Sequence, residues 1–153
     1  TNSTDKNLIL NLTSDTEKVN EGALLDDFYI TDYNKTQRSV KRLIKNKNTV
    51  LYFWNPKYIG KDFIASRIQY CSEKYPNLKF IGVKINGDNK DRIYKLDIKS
   101  QYYLESSSKA NIFLTSRIPR TILINKKGIV TNSFASLSSR NIFNQIDQLA
   151  KTK

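Results

Sequence analysis

The sequence predicts one α/β domain in which helices cover both faces of a central mixed β-sheet. Three observations carry this prediction: an apolar run at Val50–Trp54, an amphipathic helical pattern over Asp62–Tyr75, and a second apolar run at Leu78–Ile85. Short continuous apolar runs rich in β-formers are typical of strands buried on both faces. A strand, a helix and a strand in this order form a parallel crossover unit, which is right-handed in nearly all known proteins.

The helical pattern is the best-defined element. Its apolar residues recur at spacings of four, three and four, which places them on one inward-facing stripe, and Pro76 ends it. The stripe consists of Ile64, Ile68, Cys71 and Tyr75.

Upstream, Leu24–Ile30 predicts a short strand, and Thr36–Lys47 predicts a helix. The predicted helix places Val40, Leu43 and Ile44 on one face. Residues 1–22 are polar, so we expect a loosely ordered lead-in or an edge strand there, followed by the domain at 23–153. The chain begins at Thr1 and not at methionine, which leaves room for a targeting segment upstream.

Downstream, we expect a variable stretch over Asp88–Ser107 and a short helix at Ala110, Phe113 and Leu114. A hairpin follows, with strands at Thr121–Ile124 and Ile129–Phe134, because the glycine that ends the Asn125–Gly128 turn supplies a positive φ. A last helix begins near Ser139. Its apolar face consists of Ile142, Phe143, Ile146 and Leu149.

The composition excludes much familiar chemistry. The 153 residues contain no histidine and one cysteine, so a Ser-His-Asp triad, a Cys-His dyad, an imidazole or thiolate zinc site and an intramolecular disulfide are all excluded. No glycine-rich phosphate loop is present. The acidic pairs Asp26–Asp27 and Asp88–Asp91 lack the calcium-loop pattern, so we interpret them as caps and solvated surface. We expect neither a metal nor a cofactor.

The chain is strongly basic, with 26 Lys and Arg against 14 Asp and Glu and a net charge of +12. Such a charge suits a polyanion, either nucleic acid or an acidic membrane surface. The lysines are scattered, however, and one local cluster stands out. It contains Lys41, Arg42, Lys45 and Lys47. We therefore keep a polyanion-binding module as an alternative and do not expect a nucleic-acid partner from net charge alone.

Three local motifs, in order, carry a family resemblance. Phe53-Trp54 closes the first core strand, Ile118-Pro119 opens the third, and Thr121–Gly128 forms the hairpin. Over Leu24–Ala150 the chain resembles the TlpA/ResA-type branch of the thioredoxin-like family of bacterial thiol-disulfide oxidoreductases. The resemblance implies the three-layer thioredoxin-like fold. It also implies a periplasmic protein, or one anchored in a membrane and facing the periplasm; the residues themselves leave a cytoplasmic location open.

The sequence departs from this family at the redox centre. In the family a Cys-x-x-Cys pair begins four residues after the tryptophan, and those positions are Tyr58 and Lys61 here. Thiol-disulfide exchange requires a thiolate to attack a sulfur and a second thiol to resolve the mixed disulfide. A phenol and an amine do neither, so the resemblance implies a degenerate, redox-inactive site.

The resemblance also implies a peptide-binding groove. In the family the proline before the hairpin has a cis peptide bond and faces the helix mouth. A retained groove would be lined by Trp54, Asn55, Tyr58, Arg117, Ile118 and Pro119.

The leading functional hypothesis is therefore a redox-inactive domain that acts in binding or scaffolding, with a protein or an extended peptide as its partner. The alternative enzyme hypothesis is a thiol oxidoreductase that uses Cys71 with an external thiol. Because Cys71 lies on the apolar stripe, we expect a buried, unreactive thiol.

Overall fold

The computed structural model describes residues 19–86, 90–105 and 119–152. Within these ranges the helices are α1 Val40–Leu43, α2 Lys61–Lys74 and α3 Ile142–Ala150, with a 3₁₀ turn at Ile98–Ser100. The strands are β1 Tyr29–Asp32, β2 Gln37–Ser39, β3 Thr49–Trp54, β4 Lys79–Ile85, β5 Gln101–Leu104, β6 Arg120–Ile124 and β7 Val130–Ala135.

The described strands form one mixed sheet of seven strands in the order β2-β1-β5-β4-β3-β6-β7. β3 pairs in parallel with β4, and β4 pairs in parallel with β5. The other neighbours are antiparallel. The predicted crossover unit, β3-α2-β4, is confirmed, and so is the predicted α/β fold with a mixed sheet and flanking helices.

β3 contributes side chains to two separate cores because successive residues of a strand point to opposite faces. Leu51 and Phe53 belong to the core on the α1 face, whereas Val50, Tyr52 and Trp54 belong to the core on the α2 and α3 face. All six residues of β3 are buried. The helices supply the other half of the second core through Ile64, Ala65, Ile68, Cys71, Ile142, Ile146 and Leu149.

The predicted hairpin and last helix are confirmed. β6 and β7 are joined by a turn at Asn125–Gly128, where Gly128 has a φ of 81°. The Asn125 side chain accepts hydrogen bonds from the backbone of Lys127 and Ile129, at 2.9 and 3.1 Å. Phe143 of α3 is half-buried, and the rest of the predicted face is buried.

The predicted helix over Thr36–Lys47 is wrong. β2 occupies its beginning, and only four residues, Val40–Leu43, are α-helical. Two local features explain the difference. The Asp32 carboxylate accepts the backbone N–H groups of Asn34 and Thr36, which closes a β1–β2 turn. The Ser39 side chain then caps α1 by accepting from Arg42 N.

β5 lies within the variable stretch Asp88–Ser107, for which the sequence predicts no strand. Its four residues, Gln101–Leu104, are buried between β4 and β1. The buried Gln101 side chain donates to the carbonyls of Ile93, Leu96 and Asp97 and accepts from Ile93 N, at 2.7–3.3 Å. A four-residue strand that begins with a glutamine gives little apolar periodicity. The hydrophobic pattern therefore does not predict β5.

Other predictions lie outside the described residues. These are the lead-in over residues 1–18 and the short helix at Ala110, Phe113 and Leu114. The segment that enters the domain is described from Val19, and it pairs with β7: Gly22 N donates to Val130 O at 2.8 Å, and Val130 N donates to Ala23 O at 2.9 Å. The boundary between lead-in and domain stays a prediction.

Gly82 of β4 generates the first testable prediction. A Cβ at this position would lie 2.4 Å from the ring end of Tyr52, which is buried. We expect Gly82→Ala to lower the free energy of unfolding by about 1–3 kcal/mol through overpacking. Urea denaturation measures the loss, with Gly60→Ala as the control because a Cβ there meets nothing within 4 Å. Equal midpoints for the two variants would contradict this packing.

Candidate functional site

The candidate site lies where β3 ends and α2 begins. Asn55 organises the connection: its Nδ2 donates to Ile85 O at 2.9 Å, and its Oδ1 accepts from Lys57 N at 3.0 Å. Its backbone carbonyl accepts from Tyr58 N and Ile59 N, at 2.9 and 3.2 Å. The loop is therefore tied both to itself and to the end of β4.

Tyr58 projects from this ordered loop with 62% of its surface exposed. Its neighbour Ile59 is buried in the core beneath α2 and anchors the loop from below. Gly60 is the N-cap of α2, and Lys61 is the first helical residue. Tyr58 and Lys61 thus lie at the mouth of the helix, as the spacing from Trp54 predicts.

Pro119 lies at the same end of the sheet. Phe53 pairs with Arg120 in the antiparallel β3–β6 ladder, so Trp54 and Pro119 follow together just beyond the last pair. Trp54 is buried in the core and Pro119 is half-buried. Arg117, Ile118 and the predicted cis bond before Pro119 lie outside the described residues. Four of the six predicted groove residues are therefore placed: Trp54, Asn55, Tyr58 and Pro119.

Trp54 supports the loop from the core and offers no contact surface to a partner. Only 1% of its surface is exposed, which makes it core packing beneath the loop. The exposed part of the mouth includes the loop residues Pro56, Lys57, Tyr58 and Gly60. It continues into the first turn of α2, where Phe63 is partly exposed.

Sequence reasoning missed an ion cluster beside the mouth. The Lys84 ammonium, which is buried at the end of β4, lies 2.6 Å from Asp91 Oδ2. Asp91 Oδ1 in turn lies 4.0 Å from Lys61 Nζ, and the Tyr33 hydroxyl donates to the Asp91 backbone carbonyl. The hydrogen bond from Lys84 holds the pKa of Asp91 below its usual value. A lysine inside the apolar run Leu78–Ile85 was the available signal, because a buried lysine needs a partner.

The mouth carries no thiol within the described residues. The single cysteine, Cys71, is ten residues beyond Lys61, which is about 15 Å along the helix axis. It faces the core with 1% of its surface exposed, and burial raises the pKa of its thiol although Arg67 and Lys74 act in the opposite direction. A buried, protonated thiol is a poor nucleophile.

The acidic pairs have structural partners where they are described. The Asp27 carboxylate accepts from Ser39 Oγ at 2.8–3.0 Å and from Lys41 N at 3.0 Å, so it supports the start of α1. Asp88 lies outside the described residues. Among those described, no group of three His, Cys, Asp or Glu side chains is placed to hold a metal ion, and no helix is both long and apolar enough to cross a membrane.

Comparison with solved structures places the fold. A candidate thiol-disulfide oxidoreductase from Bacteroides vulgatus superposes with a TM-score of 0.66 at 23% identity, over 86% of this chain and 98% of that one. The C-terminal domain of another from Bacteroides thetaiotaomicron gives 0.66 at 17% identity, over 88% and 98%. A candidate thiol:disulfide interchange protein DsbE from Chlorobium tepidum gives 0.65 at 14% identity, over 86% and 99%. No protein-family model matches the sequence, and no curated protein is similar to it.

At these identities the comparison establishes the fold. The chain is a thioredoxin-like α/β domain, structurally similar to bacterial thiol-disulfide oxidoreductases of the TlpA/DsbE kind. It carries a single cysteine and no Cys-x-x-Cys pair.

The burial of Cys71 predicts its reactivity. We expect a thiol reagent to modify the native protein at least about 100-fold more slowly than the urea-unfolded protein, because access requires opening of α2 from the sheet. Mass spectrometry of samples quenched over time measures both rates. Comparable rates in the two states would contradict a sealed thiol.

The Lys84–Asp91 pair predicts a pH dependence. Asp91→Asn leaves the buried Lys84 ammonium without its partner and should lower the free energy of unfolding by about 1–3 kcal/mol at pH 7. Because the pKa of Asp91 is depressed in the folded state, its contribution is present above the unfolded pKa of about 3.9 and is lost as the pH falls through the folded value. The difference between wild type and Asp91→Asn should therefore shrink as the pH falls from about 5 to below the unfolded pKa.

Denaturant unfolding at each pH provides the measurement. Lys84→Met is the matched control, since it removes both the charge and the need for a partner and should be close to neutral. A difference between wild type and Asp91→Asn that is independent of pH would rule out the ion pair as its source.

Proposed function

We propose that this domain binds an extended segment of a partner protein at the mouth of α2 and performs no thiol-disulfide exchange. The carrying observation is Tyr58, an exposed aromatic side chain on a loop whose backbone is held by Asn55. A tyrosine supplies a large amphipathic contact area at a low cost in conformational entropy. When its loop is ordered before binding, less freedom is lost on association.

An aromatic strip that runs along α2 away from the mouth supports protein binding. Phe63 and Tyr70 are partly exposed, and the Arg67 guanidinium lies 4.8 Å from the ring centre of Phe63 and 4.7 Å from that of Phe143. Tyr70 packs edge-on against Phe143, with ring centres 5.4 Å apart. Aromatic residues and arginine are enriched in protein interfaces. The strip extends the surface available to a partner beyond Tyr58 itself.

The chemistry of the mouth supports binding in place of exchange. Position 58 carries a phenol and position 61 carries an amine, so neither position supplies a sulfur. The Lys61 amine interacts with Asp91. An extended partner segment would be held by side-chain contact with Tyr58 and by backbone pairing beside Pro119. The compartment that we propose is the periplasm, either free or attached to a membrane, following the fold resemblance.

A binding experiment tests the proposal. Cysteine-free peptides selected on a peptide array would be measured by fluorescence anisotropy against wild type and two variants. Tyr58→Ala should weaken binding at least about tenfold, which is typical of an aromatic anchor residue. Tyr29→Ala is the matched control, because Tyr29 is also more than half exposed. It lies on β1, which β5 and β4 separate from β3 in the sheet. Its affinity should match that of wild type.

Amide shift mapping locates the surface independently. The selected peptide should perturb the backbone resonances of 55–61 and of Arg120. Equal weakening by the two tyrosine variants, or shifts confined to another face, would overturn the proposal.

The enzyme alternative has its own measurement. Insulin reduction with dithiothreitol or glutathione should proceed at the uncatalysed rate with both wild type and Cys71→Ala. Turnover by wild type that is absent from Cys71→Ala would establish an oxidoreductase and displace the binding hypothesis.

A further inference from the structure

A second surface lies at the end of the sheet opposite the mouth. β3 runs from Thr49 to Trp54, and Thr49 pairs with Ile124 just before the β6–β7 turn. That turn and the α1 region form the walls of a pocket of about 530 Å³ that is open to solvent. We call this surface the basic platform. It is lined by Leu24, Leu25, Lys41, Arg42, Ile44, Lys45, Asn46, Lys126, Lys127 and Gly128.

The lining combines cationic and aliphatic groups. Its five cations come from two segments that are distant in the sequence, 41–45 and 126–127. None of the five forms an ion pair with a described residue, and no acidic side chain is among the described residues that line the pocket. The neighbouring Asp27 carboxylate accepts hydrogen bonds from Ser39 Oγ and Lys41 N and keeps its negative charge. Asp26 and Asp27 are thus two acids that adjoin five lining cations, so the platform has a net positive charge.

Leu24 lies at the aliphatic centre of the platform. Its side chain is 62% exposed, and its Cδ2 lies 3.6 Å from where a Cβ on Gly128 would be. Leu25 and Ile44 beside it are buried. An exposed leucine between cationic side chains is an apolar group positioned to leave water when an anionic partner approaches.

The platform is rigid before any partner arrives. Asn48, which is buried, accepts from Lys126 N at 2.9 Å through Oδ1. Its Nδ2 donates to Leu149 O and Thr152 O, at 3.2 and 3.0 Å. Together with the Asn125 turn, these bonds fix the backbone that carries Lys126 and Lys127.

The backbone around Leu24 is already paired. Gly22 N donates to Val130 O, Val130 N donates to Ala23 O, and Leu25 N donates to Gly128 O, at 2.8–3.0 Å. A peptide strand would find these groups occupied. Recognition is left to charge and aliphatic contact, neither of which requires a particular direction of approach.

We infer that the basic platform binds the surface of a bilayer that contains acidic phospholipids, with the cations at the headgroups and Leu24 among the upper acyl carbons. Each Lys or Arg near such a surface strengthens binding about fivefold, and stable peripheral attachment requires both charge and an apolar contribution. Single-stranded nucleic acid fits the platform less well, because the lining offers no aromatic side chain for stacking on bases. The exposed Leu24 favours a bilayer over a DNA duplex, whose phosphates offer no apolar contact. The inference is independent of the proposed function at the mouth.

Vesicle co-sedimentation tests the inference. Wild type should bind vesicles of 30% phosphatidylglycerol in phosphatidylcholine and should not bind pure phosphatidylcholine, and binding should weaken as salt is raised. Lys126→Glu with Lys127→Glu should lower the apparent affinity at least about 25-fold, since two favourable charges become repulsive. Lys90→Glu with Lys95→Glu, in the loop after β4, makes the same change in net charge and is the matched control; it should retain most of the binding.

The apolar contribution is tested separately. Leu24→Ser should weaken vesicle binding about fivefold or more, whereas Ile98→Ser, at another exposed aliphatic position, should not. Equal loss with both charge-reversed pairs would reduce the effect to net charge and overturn the inference. Binding of inorganic phosphate or a DNA duplex at the platform, without vesicle binding, would assign the surface to a different anion and overturn it equally.

Discussion

The burial of β3 on both faces and along both edges is the constraint on which the rest of the structure depends. Its six residues are covered by two cores, and β4 and β6 take up its backbone hydrogen bonds. No side chain of this strand can reach a ligand without leaving the core. Functional groups are therefore confined to its two ends, and an asparagine organises each end: Asn48 before the strand and Asn55 after it.

The mouth brings together three parts of the chain. The loop after β3, the start of α2 and the proline before β6 lie at one end of the sheet. The ion cluster adds a feature of its own, because the Asp91 carboxylate interacts with both the buried Lys84 and Lys61. The exposed Asp62 carboxylate in the first turn of α2 pairs with Lys95 at 3.3 Å, so both signs of charge border the mouth.

The core elements were predictable because their patterns are long and unmixed. The apolar run of β3 and the stripe on α2 each admit one interpretation, and the spacing from Trp54 located Tyr58 and Lys61. The β1–β2 hairpin and β5 were not predictable in the same way. Side chains of Asp32, Ser39 and Gln101 decide those segments through hydrogen bonds to backbone groups that are four, three and eight residues away. Such local bonds between polar side chains and the backbone leave no trace in the apolar periodicity.

The candidate site likewise has features that the sequence predicts and features that it does not. Sequence spacing identified the residues that replace the redox pair, but it gave no sign that Asp91 would meet Lys84 across a loop, or that Lys126 and Lys127 would join the 41–45 cluster. Lys84 and Asp91 are seven residues apart and meet across one loop. The second grouping arises from the sheet, which brings distant turns to a common end. Charged residues in loops have no periodicity that records their partners.

The two edges of the sheet influence how readily the protein associates with itself in concentrated solution. Segment 22–25 pairs with the beginning of β7, and the Glu21 carboxylate accepts from Ser133 N further along at 3.0 Å. At the other border, β2 has only three residues, all polar or charged. Unpaired strand edges are the usual templates for intermolecular β-pairing and fibril growth. Both borders are thus poor templates, and the molecule is protected against self-association through added strands.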